Sequence, residues 1–343
     1  MKAMILKRTS LFRENSRPLE PADVPDPVPA DGEILIRVAA CGVCHTELDE
    51  IEGRTPPPQF PVIPGHQVVG RVAAVGNRVT AHKAGDRVGV GWIHSACGRC
   101  PFCAEGRENL CPDFTATGRD RNGGYGEYMT VPEGSAYSIP EVFSDAEAAP
   151  LLCAGAIGYR SLRLAGIRDG QPLGLTGFGA SAHLVLKMAR RLYPKTDVFV
   201  FARSEREQRF ALDLGAVWAG GTEAPPPEKL QAVIDTTPVW KPVVAAMRSL
   251  KSGGRLVINA IRKEEADREA LLGLDYASHL WLEKEIRSVA NVTRSDIREC
   301  LQLAADIPLR PQIQTFPLAE ANRALAELKS GQIRGAKVLI LSG

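Results

Sequence analysis

The stretch "PLGLTGFGASAHLVLKMARRL", residues 172–192, carries the clearest structural signal in this chain of 343 residues. A short apolar run comes first, a glycine-rich turn follows, and the remaining residues repeat apolar side chains at helical spacing. The segment therefore predicts a strand, a tight turn and a helix. Further strand-like runs follow along the chain, namely "DVFVFA", "QAVIDT", "GGRLVINA" and "IRSVA". Strands that alternate with helices are typical of a parallel α/β sheet.

The turn in this segment fits the pattern G-x-G-x-x-G/A at Gly177, Gly179 and Ala182. In dinucleotide-binding folds the first glycine permits the tight turn, the second lets the backbone approach a pyrophosphate, and the small third residue lets helix pack on strand. The phosphates then lie over the helix N-terminus, where free N–H groups favour negative charge. A glycine-rich turn also joins strands to helices in proteins that bind no nucleotide, so this motif alone leaves both interpretations open.

The first 150 residues have a different texture. They are rich in proline, glycine and valine, and turn signals separate the short apolar runs "EILIRVAA", "VVGRVAAVG" and "DRVGVGW". This pattern predicts a β-rich domain. The texture changes at about residue 151, and 343 residues are enough for two domains that each bury a core.

Composition and charge narrow the classes of function. Lys and Arg number 42 against 40 for Asp and Glu, and aromatic residues make up 6%, which gives no basis for binding nucleic acid or an anionic membrane surface. No apolar run is as long as a membrane span, and "MKAMILKRTS" lacks the apolar stretch of a signal peptide. We therefore expect a cytoplasmic protein without nucleic-acid or membrane partners, in which clustered cysteines bind metal or act in catalysis.

Four of the eight cysteines lie in "CGRCPFCAEGRENLC", as Cys97, Cys100, Cys103 and Cys111. Such short spacings let the thiolates converge on one tetrahedral ion, and four sulfur ligands leave no position for a substrate. The array predicts a structural zinc site. An iron–sulfur cluster is the alternative, since tight cysteine spacing suits it as well.

Three other residues offer ligands for a metal with an open position. They are Cys44 in "CGVCHTEL", His66 in "FPVIPGHQVVG" and Cys153 in "APLLCAGAIGYRSL". Two thiolates and one imidazole form a ligand set known from catalytic zinc sites. The spacing along the chain does not bring the three together. Taken singly, His66 could equally be a hydrogen-bonded turn histidine, and Cys153 a small core residue.

The motifs "CGVCHTEL", "PVIPGHQVVGRVAAVGNRV", "GDRVGVGW", "GGYGEYMTVP" and "LLCAGAIGY", together with the four-cysteine loop, occur in an order that resembles the zinc-dependent medium-chain alcohol dehydrogenases. The resemblance covers nearly the whole chain. It implies an α/β protein with a GroES-like β-rich catalytic domain at residues 1–150 and 291–343, and a doubly wound Rossmann cofactor-binding domain at residues 151–290. It also implies that Cys44, His66 and Cys153 hold a catalytic zinc, so that one chain would bind two zinc ions.

The same resemblance suggests roles for the residues next to these ligands. Thr46 would pass the alcohol proton outward, and His45 would lie near the cofactor phosphates. Glu47 replaces the usual aspartate of the family and could hold the ring N–H of His66. Gln67 replaces the usual glutamate after the ligand histidine, which removes a negative charge close to the metal.

Two further positions concern the proton and the substrate. Asp49 stands where many relatives carry a proton-relay histidine, so the route by which the proton leaves stays open. Trp92 stands where the family places a large side chain of the substrate pocket, and it predicts a narrow pocket for slim primary alcohols and aldehydes. A tryptophan that merely fills the core would fit the sequence as well.

The implied activity is hydride transfer between a primary alcohol or aldehyde and a nicotinamide cofactor. A zinc-dependent polyol dehydrogenase is the alternative within enzymes. A non-catalytic zinc-binding module that recognises nucleic acid is the alternative from another class, but it would require a basic face and stacking aromatic residues. The family also suggests a homodimer or a homotetramer.

Cofactor choice depends on the end of the strand in "DVFVFARSERE". NAD-binding relatives carry an acidic residue there that binds the ribose 2′-hydroxyl, and this chain has Ala202. Arg203 and Ser204 follow and are suited to a 2′-phosphate. "SERE" also fits a capping box from Ser204 to Glu207, and both interpretations can hold together. We therefore predict NADP(H), with NAD(H) as the alternative.

Overall fold

The computed structural model describes residues 1–13, 16–307, 309–331 and 335–341. The chain forms two compact units, the first made of Met1–Cys153 and Val292–Gly343 and the second of Ala154–Asn291. The predicted limits, at residues 150 and 290, fall near these breaks. No helix in the described ranges is long and apolar enough to cross a membrane.

The β-strands of the described residues are, in chain order, β1 (Lys2–Leu6), β2 (Leu19–Asp23), β3 (Glu33–Val43), β4 (Val68–Val75), β5 (Arg87–Val90), β6 (Ile93–Ser95), β7 (Thr115–Ala116), β8 (Tyr128–Pro132), β9 (Ala136–Ser138), β10 (Leu173–Thr176), β11 (Val198–Phe201), β12 (Trp218–Gly220), β13 (Leu230–Asp235), β14 (Leu250–Ile258), β15 (Glu285–Ser288), β16 (Ile313–Pro317) and β17 (Ala336–Ile340). The α-helices are α1 (His45–Ile51), α2 (Pro101–Ala104), α3 (Asp145–Ala148), α4 (Ala154–Ala165), α5 (Ala180–Leu192), α6 (Glu205–Asp213), α7 (Lys241–Ser249), α8 (Arg294–Asp306) and α9 (Ala321–Lys329).

The first unit is built on a seven-stranded sheet with the order β16-β17-β3-β4-β5-β9, in which β8 also pairs with β3. Strand β3 is the centre of this sheet, because its first half pairs with β8, its end pairs with β17, and β4 follows its other side. Side chains along β3 alternate between buried and less buried, and Ile34, Ile36 and Val38 enter the core. The predicted β-rich domain is therefore present, and β3 contains Cys41 and ends one residue before Cys44.

The second unit is a six-stranded, wholly parallel sheet with the order β12-β11-β10-β13-β14-β15. This order, 3-2-1-4-5-6 when counted along the chain, is that of the doubly wound nucleotide-binding fold. The predicted Rossmann fold is confirmed, and the helix predicted from "ASAHLVLKMARRL" is α5 with the same ends. The strand order reverses between β10 and β13, and in open α/β sheets ligands bind beyond the carboxyl ends of such strands.

Gly177 follows β10 directly at this point of reversal. Its φ is +76°, a conformation that side chains rarely adopt, and an added Cβ would lie 2.9 Å from Thr236 Oγ1 and 3.0 Å from Thr237 Cγ2. The turn therefore requires glycine both for its backbone angle and for its contact with the loop after β13.

Candidate metal and cofactor sites

Cys44 lies at the junction between β3 and α1, where it is the residue that caps the helix N-terminus. Its backbone N–H donates to Glu47 Oε2 at 2.7 Å, so the first turn of α1 closes on itself. The Thr46 hydroxyl lies 3.6 Å from Cys44 Sγ. Strand end and helix start together fix the direction of this thiol.

His66 is set by the glycine that precedes it. Gly65 has φ +100°, and a Cβ at this position would lie 2.4 Å from Tyr125 Cδ1 and 2.9 Å from Cys41 Sγ. A larger residue would therefore push His66 out of place. Cys41 is buried beside this turn and packs against it. Within the described residues, Cys41 belongs to neither group of candidate metal ligands.

Cys153 follows a 3₁₀ turn, Ala149–Leu152, whose side chains are buried. The predicted cofactor domain begins at residue 151, whereas the second compact unit begins at Ala154, so Cys153 lies in the first unit. The reason is packing. Leu152 is fully buried against β5, where a Cβ on Gly89 would lie 2.8 Å from Leu152 Cδ1.

The structure brings Cys44, His66 and Cys153 together, with their ligand atoms all within 4.8 Å of one another. His66 Nδ1 is hydrogen-bonded to Glu47 Oε1 at 2.6 Å, which leaves Nε2 as the ring nitrogen for a metal. Both of these side chains are buried. Two thiols and one oriented imidazole at this spacing fit a tetrahedral zinc that keeps one position open.

The three candidate ligands interact electrostatically with one another and with Glu47. A hydrogen bond from the Cys153 thiol and the nearby His66 lower the pKa of Cys44, while the same contact and burial raise the pKa of Cys153. Burial lowers the pKa of His66, but the Glu47 carboxylate and the Cys44 thiol together outweigh burial, so the pKa is raised. A divalent metal must displace the protons held here, so its affinity is expected to increase with pH.

The four-cysteine array forms a second group, in which Cys97, Cys100, Cys103 and Cys111 also lie within 4.8 Å of one another. Cys97 Sγ is 3.9 Å from Cys103 Sγ and accepts from the Cys100 N–H at 3.4 Å. Backbone N–H groups of Arg99 and Cys100 lower the pKa of Cys97 to about 6, so this thiol ionises readily. The geometry fits a closed four-sulfur zinc site.

The side chains predicted near the first group are found as follows. Thr46 is buried beside Cys44, whereas His45 is exposed at the first position of α1. Gln67 is buried against β3, where a Cβ on Gly42 would lie 2.7 Å from its Oε1. The Trp92 ring stands edge-on to the His66 ring, with 5.1 Å between their centres. Trp92 is therefore part of the wall around His66.

Asp49, which occupies the position of the proton-relay histidine, is buried and paired with a cation. Its Oδ1 accepts from Arg54 Nε at 2.6 Å, and its carbonyl accepts from the Arg54 and Thr55 N–H groups. This residue therefore holds the loop after α1 in place.

The loop predicted to bind the nucleotide joins the end of β10 to the start of α5. Gly179 is the residue that caps α5, no side chain of the described residues caps that helix end, and a Cβ on Gly179 would meet open space. Ala182 is fully buried, so the helix packs closely at this point. The free N–H groups of α5 can therefore receive an anion.

At the end of β11, Ala202 is buried and Arg203 and Ser204 are exposed. The predicted capping box is confirmed, since Ser204 Oγ accepts from the Glu207 N–H at 3.2 Å and donates to Glu207 Oε2 at 2.9 Å. The serine hydroxyl is thus already used by the helix. Arg203 is the better candidate of the two for a ligand phosphate, because its guanidinium has no ion-pair partner in the part of the chain that the structure describes.

Two charged residues near His66, Glu50 and Arg119, were not predicted from the sequence. Glu50 is 1% exposed, and neither carboxylate oxygen has a hydrogen-bond partner within the described ranges. It follows Glu47 by three residues on α1, and this helical spacing was the available signal. The Arg119 guanidinium lies over the Trp92 ring, with Cζ 5.6 Å from the ring centre. The loop "TGRDRNGG" has no repeating pattern from which the contact of Arg119 with Trp92 could be predicted.

Comparison with known proteins gives matches along the whole chain. Residues 30–141 match the alcohol dehydrogenase GroES-like domain family, and residues 200–339 match the zinc-binding dehydrogenase family. The chain is 43% identical to the probable alcohol dehydrogenase AdhA of Mycobacterium tuberculosis over 329 residues, covering 94% of this chain and 93% of that protein. It is 33% identical over 343 residues to an alcohol dehydrogenase of Geobacillus stearothermophilus, covering 97% and 99%. Among solved structures, a cinnamyl alcohol dehydrogenase of Sorghum bicolor is similar with a TM-score of 0.83 at 27% identity, covering 99% of this chain and 97% of that one.

Proposed function

The chain belongs to the zinc-dependent medium-chain alcohol dehydrogenase family and interconverts alcohols and aldehydes with a nicotinamide cofactor, and we propose that Cys44, His66 and Cys153 hold the metal at which this reaction occurs. The observation that supports this assignment most directly is the approach of the three ligand atoms to within 4.8 Å of one another. The Glu47–His66 hydrogen bond of 2.6 Å supports it independently, because a carboxylate behind a ligand histidine orients the ring and strengthens the ligand.

When bound, zinc supplies a Lewis acid that makes an alcohol more acidic and polarises an aldehyde carbonyl, while the nicotinamide exchanges the hydride. The chain's own residues orient and protect this chemistry. The Thr46 hydroxyl, 3.6 Å from Cys44 Sγ, would accept the alcohol proton and pass it on, and exposed His45 lies beside it at the start of α1. Glu47 fixes the His66 ring, and the Trp92 ring excludes water from one side and favours slim primary alcohols and aldehydes.

We further propose that each chain binds two zinc ions, the second held by Cys97, Cys100, Cys103 and Cys111. The ligand atoms of this loop also lie within 4.8 Å of one another, and four thiolates leave no open position, so the second ion would be structural. Metal analysis of the purified protein should give two equivalents of zinc per chain, and finding iron would support the cluster alternative.

The proposed reaction is tested by a panel of primary alcohols and aldehydes, with absorbance of the nicotinamide followed in both directions. Ethanol, benzyl alcohol and benzaldehyde with NAD(H) and NADP(H) cover the expected range. Turnover that disappears on treatment with a chelator and returns with zinc would support the assignment. Turnover that persists in metal-free protein would contradict it.

For the cofactor, we propose a preference for NADP(H) over NAD(H). Ala202 supplies no carboxylate to repel a 2′-phosphate, and exposed Arg203 offers a planar donor edge for it. Ala202→Asp should reverse the preference, mainly through the KM for NADP(H). Arg203→Ala should weaken NADP(H) about tenfold to thirtyfold, which corresponds to about 1.5–2 kcal/mol for a charge-assisted hydrogen bond, and should change NAD(H) little.

Steady-state kcat/KM, measured with NADP(H) and with NAD(H), tests the proposed cofactor preference. Arg209→Ala is the matched control, because Arg209 is also exposed on α6 but lies farther from the end of β11. A wild-type enzyme that used NADH at least as efficiently as NADPH would rule out the proposed preference.

We also propose that the protein forms a homo-oligomer, either a dimer or a tetramer. Strand β15 is the edge of the parallel sheet, all four of its residues are exposed, and Ile286 within it is 42% exposed. Exposed apolar residues lie close by in sequence, including Trp281 at 54%. An exposed edge with apolar side chains is a template for pairing with a second copy.

Light scattering should give a multiple of the chain mass, and Ile286→Lys should weaken association about tenfold or more, since it places a charge on that edge. A monomeric wild-type protein would contradict the proposal.

A further inference from the structure

Arg119 places a cation on the wall beside the proposed catalytic metal site. Its Cζ lies 5.6 Å from the centre of the Trp92 ring, and the Trp92 ring centre lies 5.1 Å from that of His66. Taken together, these distances put the guanidinium within about 11 Å of the His66 ring. This is the range spanned by a small substrate whose reacting carbon is at the metal and whose far end reaches the wall.

The loop that carries Arg119 is held firmly. The Gly118 N–H donates to the Arg121 carbonyl at 2.7 Å, and the Asp120 N–H donates to the Ala116 carbonyl at 3.0 Å. Asp120 Oδ2 in turn accepts from the Ala116 N–H at 2.6 Å. A second aromatic ring, that of Phe114, has its centre 5.5 Å from the Arg119 Cζ. The guanidinium is therefore preorganised, which reduces the entropy lost when it binds a ligand.

The hydrogen bonds of Arg119 leave part of its donor edge available. Nε donates to Asp120 Oδ1 at 3.1 Å, and Nη2 donates to Asp120 Oδ2 at 2.8 Å. Nη1 has no acceptor within the described ranges, and the side chain is 23% exposed. A guanidinium has five N–H donors in one plane, a geometry that matches a carboxylate. An incoming anion could thus bind at Nη1 without breaking the pair with Asp120.

The local charge also favours an anion. The loop carries Arg119 and Arg121 against Asp120, and Arg121 is exposed, so the pair with Asp120 does not cancel the positive charge. Glu50 does not cancel it either. Burial and the neighbouring Glu47 raise the pKa of Glu50 well above its usual range, although the charge of Arg119 opposes this shift. With two arginines against one aspartate, this loop keeps a net positive charge that favours an anion.

We propose that Arg119 is a specificity-determining residue that binds a carboxylate, and that the preferred substrates are aldehydes and primary alcohols with a carboxylate at the end remote from the reacting carbon. This inference rests on the proposed function of the Cys44, His66 and Cys153 site. It adds a substrate class that the resemblance to alcohol dehydrogenases does not supply. Neutral alcohols would meet the Trp92 wall alone and bind more weakly.

The experiment compares aldehydes that differ only in this charge. A rigid pair is 4-carboxybenzaldehyde and its methyl ester, and a flexible pair is 6-oxohexanoate and hexanal. We expect wild-type kcat/KM to favour the carboxylate in at least one pair by about tenfold or more. Arg119→Gln should lower kcat/KM for that carboxylate about thirtyfold, equivalent to about 2 kcal/mol, and change its neutral partner by less than about twofold.

Two further variants separate recognition from folding. Arg121→Gln, in the same loop, is the matched control and should cost less than about threefold because Arg121 is exposed and does not contact Trp92 among the described residues. Arg119→Lys keeps the charge but loses the planar fork, so it should retain part of the carboxylate preference. If Arg119→Gln does not fold, Arg119→Lys decides the question: a preference that falls while kcat/KM for the neutral aldehyde stays constant supports the role of Arg119, and an unchanged preference overturns it.

The outcomes separate the role of Arg119 from the proposed dehydrogenase activity on which it rests. A wild-type enzyme that reduces the neutral aldehydes but shows no preference for the carboxylate in either pair overturns the role of Arg119 and leaves the dehydrogenase function intact. An Arg119→Gln enzyme that slows both members of a pair equally shows a structural role and also overturns the inference. If the wild-type enzyme reduces none of the four aldehydes with NADH or NADPH, the proposed function itself is wrong.

Discussion

Replacement of Cys153 by alanine is expected to remove about one equivalent of zinc per chain and to lower kcat at least about a thousandfold, while the fold is retained. The side chain of Cys153 supplies one of three protein ligands, and two ligands hold zinc far less well than three. Without the metal the alcohol is not acidified and the carbonyl is not polarised, and a thousandfold loss corresponds to only about 4 kcal/mol of the transition-state stabilisation that a metal supplies.

The measurements are zinc content, turnover and circular dichroism on the same preparation. Cys300→Ala is the matched control, because Cys300 is a buried free cysteine on α8 that belongs to neither group of candidate ligands in the part of the chain described. This control should keep both metals and most of the turnover. Wild-type turnover in Cys153→Ala would mean that the three residues are not the catalytic metal site.

Much of the fold could be predicted from local sequence patterns for strands, turns and helices. Residues 172–192 contain a strand, a turn with positive φ and an amphipathic helix, and each is found at its predicted place. The parallel order of the second sheet also follows, because helices between strands leave few other arrangements. Strand β15 was predicted from "IRSVA", but its exposure was not, since burial at a sheet edge depends on neighbours that the sequence does not show.

The candidate catalytic site is different, because spacing along the chain does not bring Cys44, His66 and Cys153 together. The resemblance to a family named them, and the structure gives the physical reason for their convergence. Cys44 directly follows β3, His66 follows a glycine that packs on Tyr125, and Cys153 follows a buried 3₁₀ turn. Each position depends on packing between segments far apart in sequence, which no local pattern encodes.

Charged side chains around that site were the hardest to predict. The pairing of Asp49 with Arg54 spans five residues across a helix end, and the contact of Arg119 with Trp92 spans a whole loop. Glu50 is buried without a hydrogen-bond partner in the described ranges, against the general tendency of carboxylates to be exposed or paired. Departures of this kind from the ordinary rules concentrate at functional sites, where they serve chemistry rather than stability.

The loop with the four cysteines has little else to hold it. None of residues 97–107 is buried, so this segment contributes no apolar core of its own. Its connection to the rest of the first unit includes Glu108, whose Oε1 accepts from the Arg294 N–H at 2.5 Å. A bound metal would therefore supply most of the free energy that orders the loop, and structural zinc in small peptides binds with about 10–16 kcal/mol.

Cys103→Ser is accordingly expected to remove the other equivalent of zinc and to destabilise the protein, with turnover lost through unfolding rather than through chemistry. If only about 3 kcal/mol of the metal's binding energy is coupled to the fold, the thermal midpoint should fall by about 6–12 °C for a unit of this size. Partial desolvation and the neighbouring thiols of Cys100 and Cys111 raise the pKa of Cys103 to about 12, whereas the pKa of Cys97 is lowered to about 6, so a bound cation is needed to favour the Cys103 thiolate at neutral pH. Differential scanning calorimetry with zinc analysis measures both effects, and Cys300→Ala again controls for loss of a thiol.

Freshly folded Cys103→Ser should retain its catalytic zinc and near-normal kcat below its midpoint, in contrast to Cys153→Ala. If Cys103→Ser kept two zinc ions and the wild-type midpoint, the four cysteines would not form a structural metal site.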